Sequence, residues 1–226
     1  NMQSAAYRVI WGFLRKCPAS KVRFCIFDPK EGGGSVRMLS NFVNKMPDSY
    51  KRAVTQMSRT EELLSCLKEL EGQTLDFIRD RPDYDDLLDY NAHNPRRTEA
   101  ITLLMLYDFP LNADARCLEL LSSVMQKGNR CGIYVVLCRN TAVEVASSYD
   151  HIDEKLAELE KNCVQIECKE NGFALLPYHL SVRLIEKPDA GQLEKFAVEY
   201  HKAVEKLSVQ SIHFEEILPP EPFQGS

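Results

Sequence analysis

Ala100 to Pro110 reads AITLLMLYDFP, and the fold follows from it. From Ile101 to Leu106 the run leaves no solvent-facing side, the pattern of a parallel strand buried on both faces. Asp108 closes it at the carboxyl end, where open α/β sheets hold their ligands. Downstream, residues 113–127 read as a helix with Ala115, Leu118, Leu121, Val124 and Met125 on its apolar face, ended by Gly128. Ile133 to Leu137 is another buried strand, and upstream Val22 to Phe27 is a short one closed by Asp28-Pro29. Strand, helix and strand in succession build a parallel sheet.

The rest of the chain extends this core. Residues 2–16 read as a helix through Ala6, Val9, Ile10, Phe13 and Leu14, ended by Pro18. Glu31 to Ser35 is a loop carrying Gly32, Gly33 and Gly34, and a short helical segment surrounds Met38 to Phe42. Residues 48–80 read as mostly helical, with Tyr50, Val54, Met57, Leu64 and Leu67 on one stripe. Asp83, Asp85, Asp86 and Asp89 follow as an acidic, solvated helix end, without the glycine and terminal Glu of a calcium loop. Residues 152–161 form a charged helix. Val164 to Cys168, a Glu170-Asn171-Gly172 turn and Phe173 to Leu176 form a hairpin, which Val182 to Ile185 extends. Residues 190–207 are a last helix, and HFEEILPPEPFQGS is a Pro-rich linker.

Composition removes several function classes. A chain of 226 residues that is 44% hydrophobic can bury one good core. No apolar run reaches the roughly 20 residues that span a bilayer. A net charge of −5 argues against a free-standing nucleic-acid binder. Cys25, Cys138 and Cys168 fall in strands and Cys66 and Cys117 on helical apolar faces, a usage that fits a reducing cytoplasm. Cys163 and Cys168 lack the spacing and the His pair of a zinc site. Cys131 and Cys138, beside Arg130 and Arg139, are candidates either for lowered thiol pKa values or for plain packing.

The strand ends carry the candidate chemistry. In nucleotide-hydrolysing P-loop proteins an Asp in the position of Asp108 orients Mg²⁺ and a following Glu activates water, but here Phe109 follows. A P-loop needs G-x-x-x-x-G-K-S/T, whose amides cradle phosphate and whose Lys neutralises it, and none of the ten glycines begins one. Asp108 is a candidate Mg²⁺ ligand or a strand-end Asp that bonds loop amides, and Asp28 has the same two readings. Gly32, Gly33 and Gly34 can offer amides to an anion, although Arg37 occupies the third glycine's place in a dinucleotide fingerprint. Lys30, Arg37 and Arg139 lie near strand ends and are either phosphate or subunit contacts or solvated charges.

Three segments in order point to one family. VRFCIFDPKEGG resembles the strand after the P-loop helix in FtsK/SpoIIIE-type DNA translocases, AITLLMLYDFP resembles their Walker B strand, and GNRCGIYVVLCRN resembles the next. The match is closer to multidomain relatives in which an ATPase-like domain with Asp-Pro-x-Gly-x-Gly and Asp-Phe-Pro signatures precedes the intact motor. Asp28-Pro29 with Gly32, Gly33 and Gly34 fits the first signature loosely, and Asp108-Phe109-Pro110 fits the second well. The resemblance covers roughly residues 2–140 and the tail, judged by element order as much as identity.

The expected fold is three-layer α/β: a mostly parallel sheet of RecA/P-loop NTPase type, with a helical insertion at about 48–80 and a C-terminal β-hairpin. Residues 1–207 are expected to form this domain and 208–226 a linker to the next. The resemblance implies a non-catalytic or weakly active ATPase-like module of a cytoplasmic DNA translocase, with Asp28, Gly32, Gly33, Gly34 and Asp108 as vestigial nucleotide contacts. ATP, Mg²⁺ and DNA would then belong to the parent protein, with the adjacent motor domain of the same polypeptide as partner, or further copies in a homo-oligomer. Two readings stand against it. One is an ATP-binding ATPase whose P-loop lies upstream of Asn1 or comes from a neighbouring subunit. The other is a Rossmann-like interaction domain with no nucleotide history.

Overall fold

The computed structural model describes residues 2–18, 21–30, 39, 42–46, 48–51, 53–143, 152–169, 172–176, 178, 180–183 and 186–209. In chain order these give α1 (Met2–Lys16), β1 (Val22–Phe27), α2 (Asp48–Lys51), β2 (Val54–Met57), α3 (Thr60–Asp80), α4 (Leu87–His93) and β3 (Ile101–Phe109). Then follow α5 (Ala115–Lys127), β4 (Ile133–Arg139), α6 (Ile152–Lys161), β5 (Gln165–Lys169), β6 (Gly172–Leu176), β7 (Leu180–Val182) and α7 (Ala190–Val209). The central sheet is all-parallel in the order β2-β1-β3-β4, and β5-β6-β7 form a separate antiparallel sheet.

Two apolar cores flank the central sheet and make it the middle of three layers. Val22, Phe24 and Ile26 of β1 with Leu103, Met105 and Tyr107 of β3 face α1 and α7, through Ile10, Leu14, Ala197 and Tyr200. Phe27 with Leu104 and Leu106 faces α3, α5 and α6, through Leu63, Leu67, Leu118, Leu121 and Leu156. Residues 103–107 thus alternate between cores along one strand, which is why the sequence has no polar side there.

The alternation breaks at Asp108. Period two would place Phe109 with Tyr107, yet Phe109 joins Leu104 and Leu106 in the other core. The register explains it: β3 advances from Leu106 to Phe109 while β4 advances only from Leu137 to Arg139, one residue fewer. This bulge takes Asp108 out of the ladder at φ +49°, a left-handed conformation that Asp tolerates better than most residues.

Residues 48–80 differ from the helical expectation. Helix forms at Asp48–Lys51 and Thr60–Asp80, but Val54–Met57 is a strand paired in parallel with Phe24 to Phe27. Four residues are too few to display a period, and β-branched Val54 and Thr55 suit the free edge of β1. The hairpin forms as β5 and β6, with β7 at Leu180–Val182 in place of the expected Val182 to Ile185; Ile185 lies outside the described residues. The Met38 to Phe42 segment also lies largely outside them, although Leu39 and Phe42 are buried in the α1–α7 core. No helix among the described residues is long and apolar enough to cross a membrane.

Candidate functional site

The carboxyl ends of β1, β3 and β4 converge on Asp108. Its Oδ1 accepts from Asn140 Nδ2 at 2.7 Å, and its Oδ2 lies 3.2 Å from Lys30 Nζ. The Asp108 side chain is 19% exposed and that of Lys30 56%, so the ion pair has one fixed and one solvated partner. The Asp108 carbonyl accepts from Leu111 N at 2.9 Å, tightening the turn that carries cis Phe109-Pro110.

Neighbouring groups hold this arrangement. Lys30 follows the Asp28-Pro29 turn, where its amide donates to Asp28 Oδ1 at 3.2 Å, and Asp28 itself is buried. Asn140 is placed by its own amide, which donates to the Phe109 carbonyl at 2.8 Å, and its Oδ1 accepts from Ala142 N at 3.1 Å. Arg139 reaches the other way, with Nε on Glu160 Oε1 at 2.8 Å and Nη1 on the Asn140 carbonyl at 2.9 Å. It braces the turn rather than the carboxylate. Thr60 Oγ1 donates to the Asn112 carbonyl at 2.8 Å, tying the start of α3 to the loop after Asp108.

Sequence reading placed Asp28, Lys30, Asp108 and Arg139 at the strand ends, and all four are found there. Gly32, Gly33, Gly34 and Arg37 lie outside the described residues. Asn140 was missed. It ends the GNRCGIYVVLCRN segment, past the predicted strand Ile133 to Leu137, and only its place at a strand end could have marked it as a site residue. The thiol alternative for Cys131 and Cys138 is corrected. Burial raises both, Cys138 to about 12, so the flanking arginines do not activate them.

Mg²⁺ with a nucleotide triphosphate is the ligand implied by the sequence pattern. The donor chemistry of Asp108 fits a hard cation, but Lys30 already neutralises the outer oxygen. Among the described residues no group of three or more His, Cys, Asp or Glu could hold a metal ion. Phe109, in the place of a base, is 1% exposed and packed in the core. With no P-loop in the sequence, these residues do not fit Mg²⁺-nucleotide by themselves. A groove of about 1090 Å³ lies elsewhere, between α3 and the sheet toward Lys21 and Thr98, and none of Asp28, Lys30, Asp108 or Asn140 lines it.

No family model and no curated protein matches the sequence. Solved structures share the fold. EssC (ATPases 2 and 3) from Geobacillus thermodenitrificans has a TM-score of 0.50 at 12% identity, over 92% of this chain and 42% of that one. The cytoplasmic domain of the type VII secretion ATPase EccC from Thermomonospora curvata also has a TM-score of 0.50, at 15% identity, over 72% of this chain and 18% of that one. The conjugation coupling protein TcpA, with a TM-score of 0.41, is too distant to bear on the argument. This chain therefore spans less than half the length of these structures, and at such identities the likeness establishes the fold.

Proposed function

We propose that this chain, which has the fold of FtsK/SpoIIIE-type ATPase domains, is a non-catalytic or weakly active module of such a motor that assembles with or regulates a neighbouring motor domain. One observation carries the reading: the acid at the end of the central strand is held by Lys30 and Asn140 and followed by a buried Phe. A working Mg²⁺-nucleotide site needs that acid turned to the metal, a phosphate loop beside it and a group that activates water. Here Lys30 acts as a built-in counter-ion, so the strand ends keep their shape without ligand. The chain after α7 would connect this module to the active motor in the cytoplasm, and the parent protein would move DNA or a secreted substrate. Sedimentation of this chain with the adjacent motor domain tests it. Co-sedimentation at micromolar concentration is expected, and no association at high micromolar concentration overturns the reading.

A second reading is an ATPase whose P-loop lies outside residues 1–226 or comes from a neighbouring subunit. It is favoured by the sheet edge: among the described residues β4 pairs only with β3, and α1 reaches over β4 through Phe13 against Tyr134, ring centroids 6.1 Å apart. That leaves room beyond β4 for a further parallel strand entering α1. A longer chain that hydrolyses ATP and loses the activity on Asp108→Ala would establish this reading instead.

A further inference from the structure

The antiparallel sheet β5-β6-β7 turns an apolar face to solvent. By alternation and register, Ile166 and Cys168 of β5, Phe173 and Leu175 of β6, and Leu180 and Val182 of β7 share one side of it. Leu175 stands between Ile166 and Leu180, and Phe173 between Cys168 and Val182. Ile166 is 45% exposed and Leu180 57%, Cys168 is exposed as well, and Val164, just ahead of β5, is 78% exposed. Among the described residues, none of the six joins either apolar core. The opposite face has Gln165, Glu167 and Ser181 around buried Ala174.

A sheet with one wet side ordinarily carries its polar residues there. This one does the reverse, and strands of five, five and three residues gain little stability while an apolar face stays wet. Size and chemistry select the cover. Three strands about 4.8 Å apart and five residues long make a face of roughly 14 by 17 Å. With side-chain relief and the exposed Val164 and Tyr178 at its ends, that is on the order of 500 Å² per copy. Two such faces stacked on each other reach about 1,000 Å², the least that a specific interface buries. None of the six residues carries a charge, so stacking removes no ion from water. All three strands are apolar on this side, so the face matches its own copy. A two-fold axis along β6 lays β6 on β6 and each β5 over the other copy's β7. Leu175 and Phe173 then meet themselves, and Ile166 meets Leu180 of the second copy.

We infer that this face is the interface of a homodimer, in which a second copy of the chain stacks sheet on sheet about 10 Å away. The contact is isologous and closes at two copies, unlike a head-to-tail contact, which builds rings or filaments. It does not depend on which reading of Asp108 stands.

Sedimentation equilibrium of the full chain under reducing conditions, from micromolar to millimolar concentration, tests it. The wild type should rise with concentration from 25.8 kDa to twice that mass and stop there. Because each copy carries a net charge of −5, added salt should strengthen the pairing rather than screen it away. Ile166→Lys and Leu180→Lys should each raise the dissociation constant about tenfold or more, since each puts an unpaired charge between the sheets. Val164→Lys, at a position too exposed for the fold to depend on it, should raise it as well. Leu75→Lys, at an exposed apolar residue of α3, should leave it unchanged. A chain that stays at 25.8 kDa throughout overturns the proposal, as does a mass that climbs past two copies or a pairing that survives all three sheet substitutions.

Discussion

Replacing Asp108 by Ala separates a structural carboxylate from one kept for a ligand. The substitution removes the charge-assisted hydrogen bond from Asn140, worth about 1.5–3 kcal/mol. The Lys30 pair adds less than about 1 kcal/mol, because Lys30 is more exposed than buried. Ala must also hold φ +49° without the local hydrogen bonding of Asp, a cost of roughly 1 kcal/mol. Asp108→Ala should therefore lose about 2.5–5 kcal/mol, read as a lower urea midpoint at unchanged slope. Asp108→Gly should lose about 1 kcal/mol less, since Gly accepts the backbone. Asn140→Ala combined with Asp108→Ala should cost less than the two singles together, by about 1 kcal/mol or more of coupling. If Asp108→Ala is as stable as the wild type or more so, the carboxylate does not hold the strand ends, and the reasoning fails.

Two glycines should respond in opposite directions. At φ +71° with its Cβ position against buried Leu87 Cδ2, Gly132→Ala should cost about 2–4 kcal/mol, whereas Gly72→Ala, inside α3 with nothing nearby, should gain about 1 kcal/mol by thermal or urea unfolding. Glu62 accepts from the Ser58 and Arg59 amides and pairs with Arg59, which lowers its pKa from 4.5 to about 2. Its contribution is present above the ordinary value and lost as pH falls through the folded one, so stability between pH 4.5 and about 2 should fall more steeply in the wild type than in Glu62→Gln. Burial raises the Cys117 and Cys138 thiols to about 12, so both should alkylate slowly in the native chain at neutral pH. Rapid labelling of either would contradict their placement in the cores.

Legibility in the sequence tracked how local the cause was. β1, the middle of β3 and α5 could be read because burial on both faces, or on one helical stripe, is written in consecutive residues. β2 could not, since Val54 to Met57 become a strand only by meeting the edge of β1. The bulge at Asp108 was hidden for a similar reason: the extra residue exists only against the register of β4, and the letters YDF carry no sign that Tyr107 and Phe109 enter opposite cores. Lys30 was visible as a charge near a strand end, but its pairing with Asp108 spans two strands.

The central claim is that the acid ending β3 serves the architecture of a nucleotide-motor fold without binding nucleotide itself. Titration of this chain with a fluorescent ATP analogue and Mg²⁺, beside Asp108→Ala, tests it most directly. The account predicts no saturable binding to either chain up to millimolar ligand. Saturable binding that Asp108→Ala abolishes would contradict it and make the strand end a nucleotide-binding site.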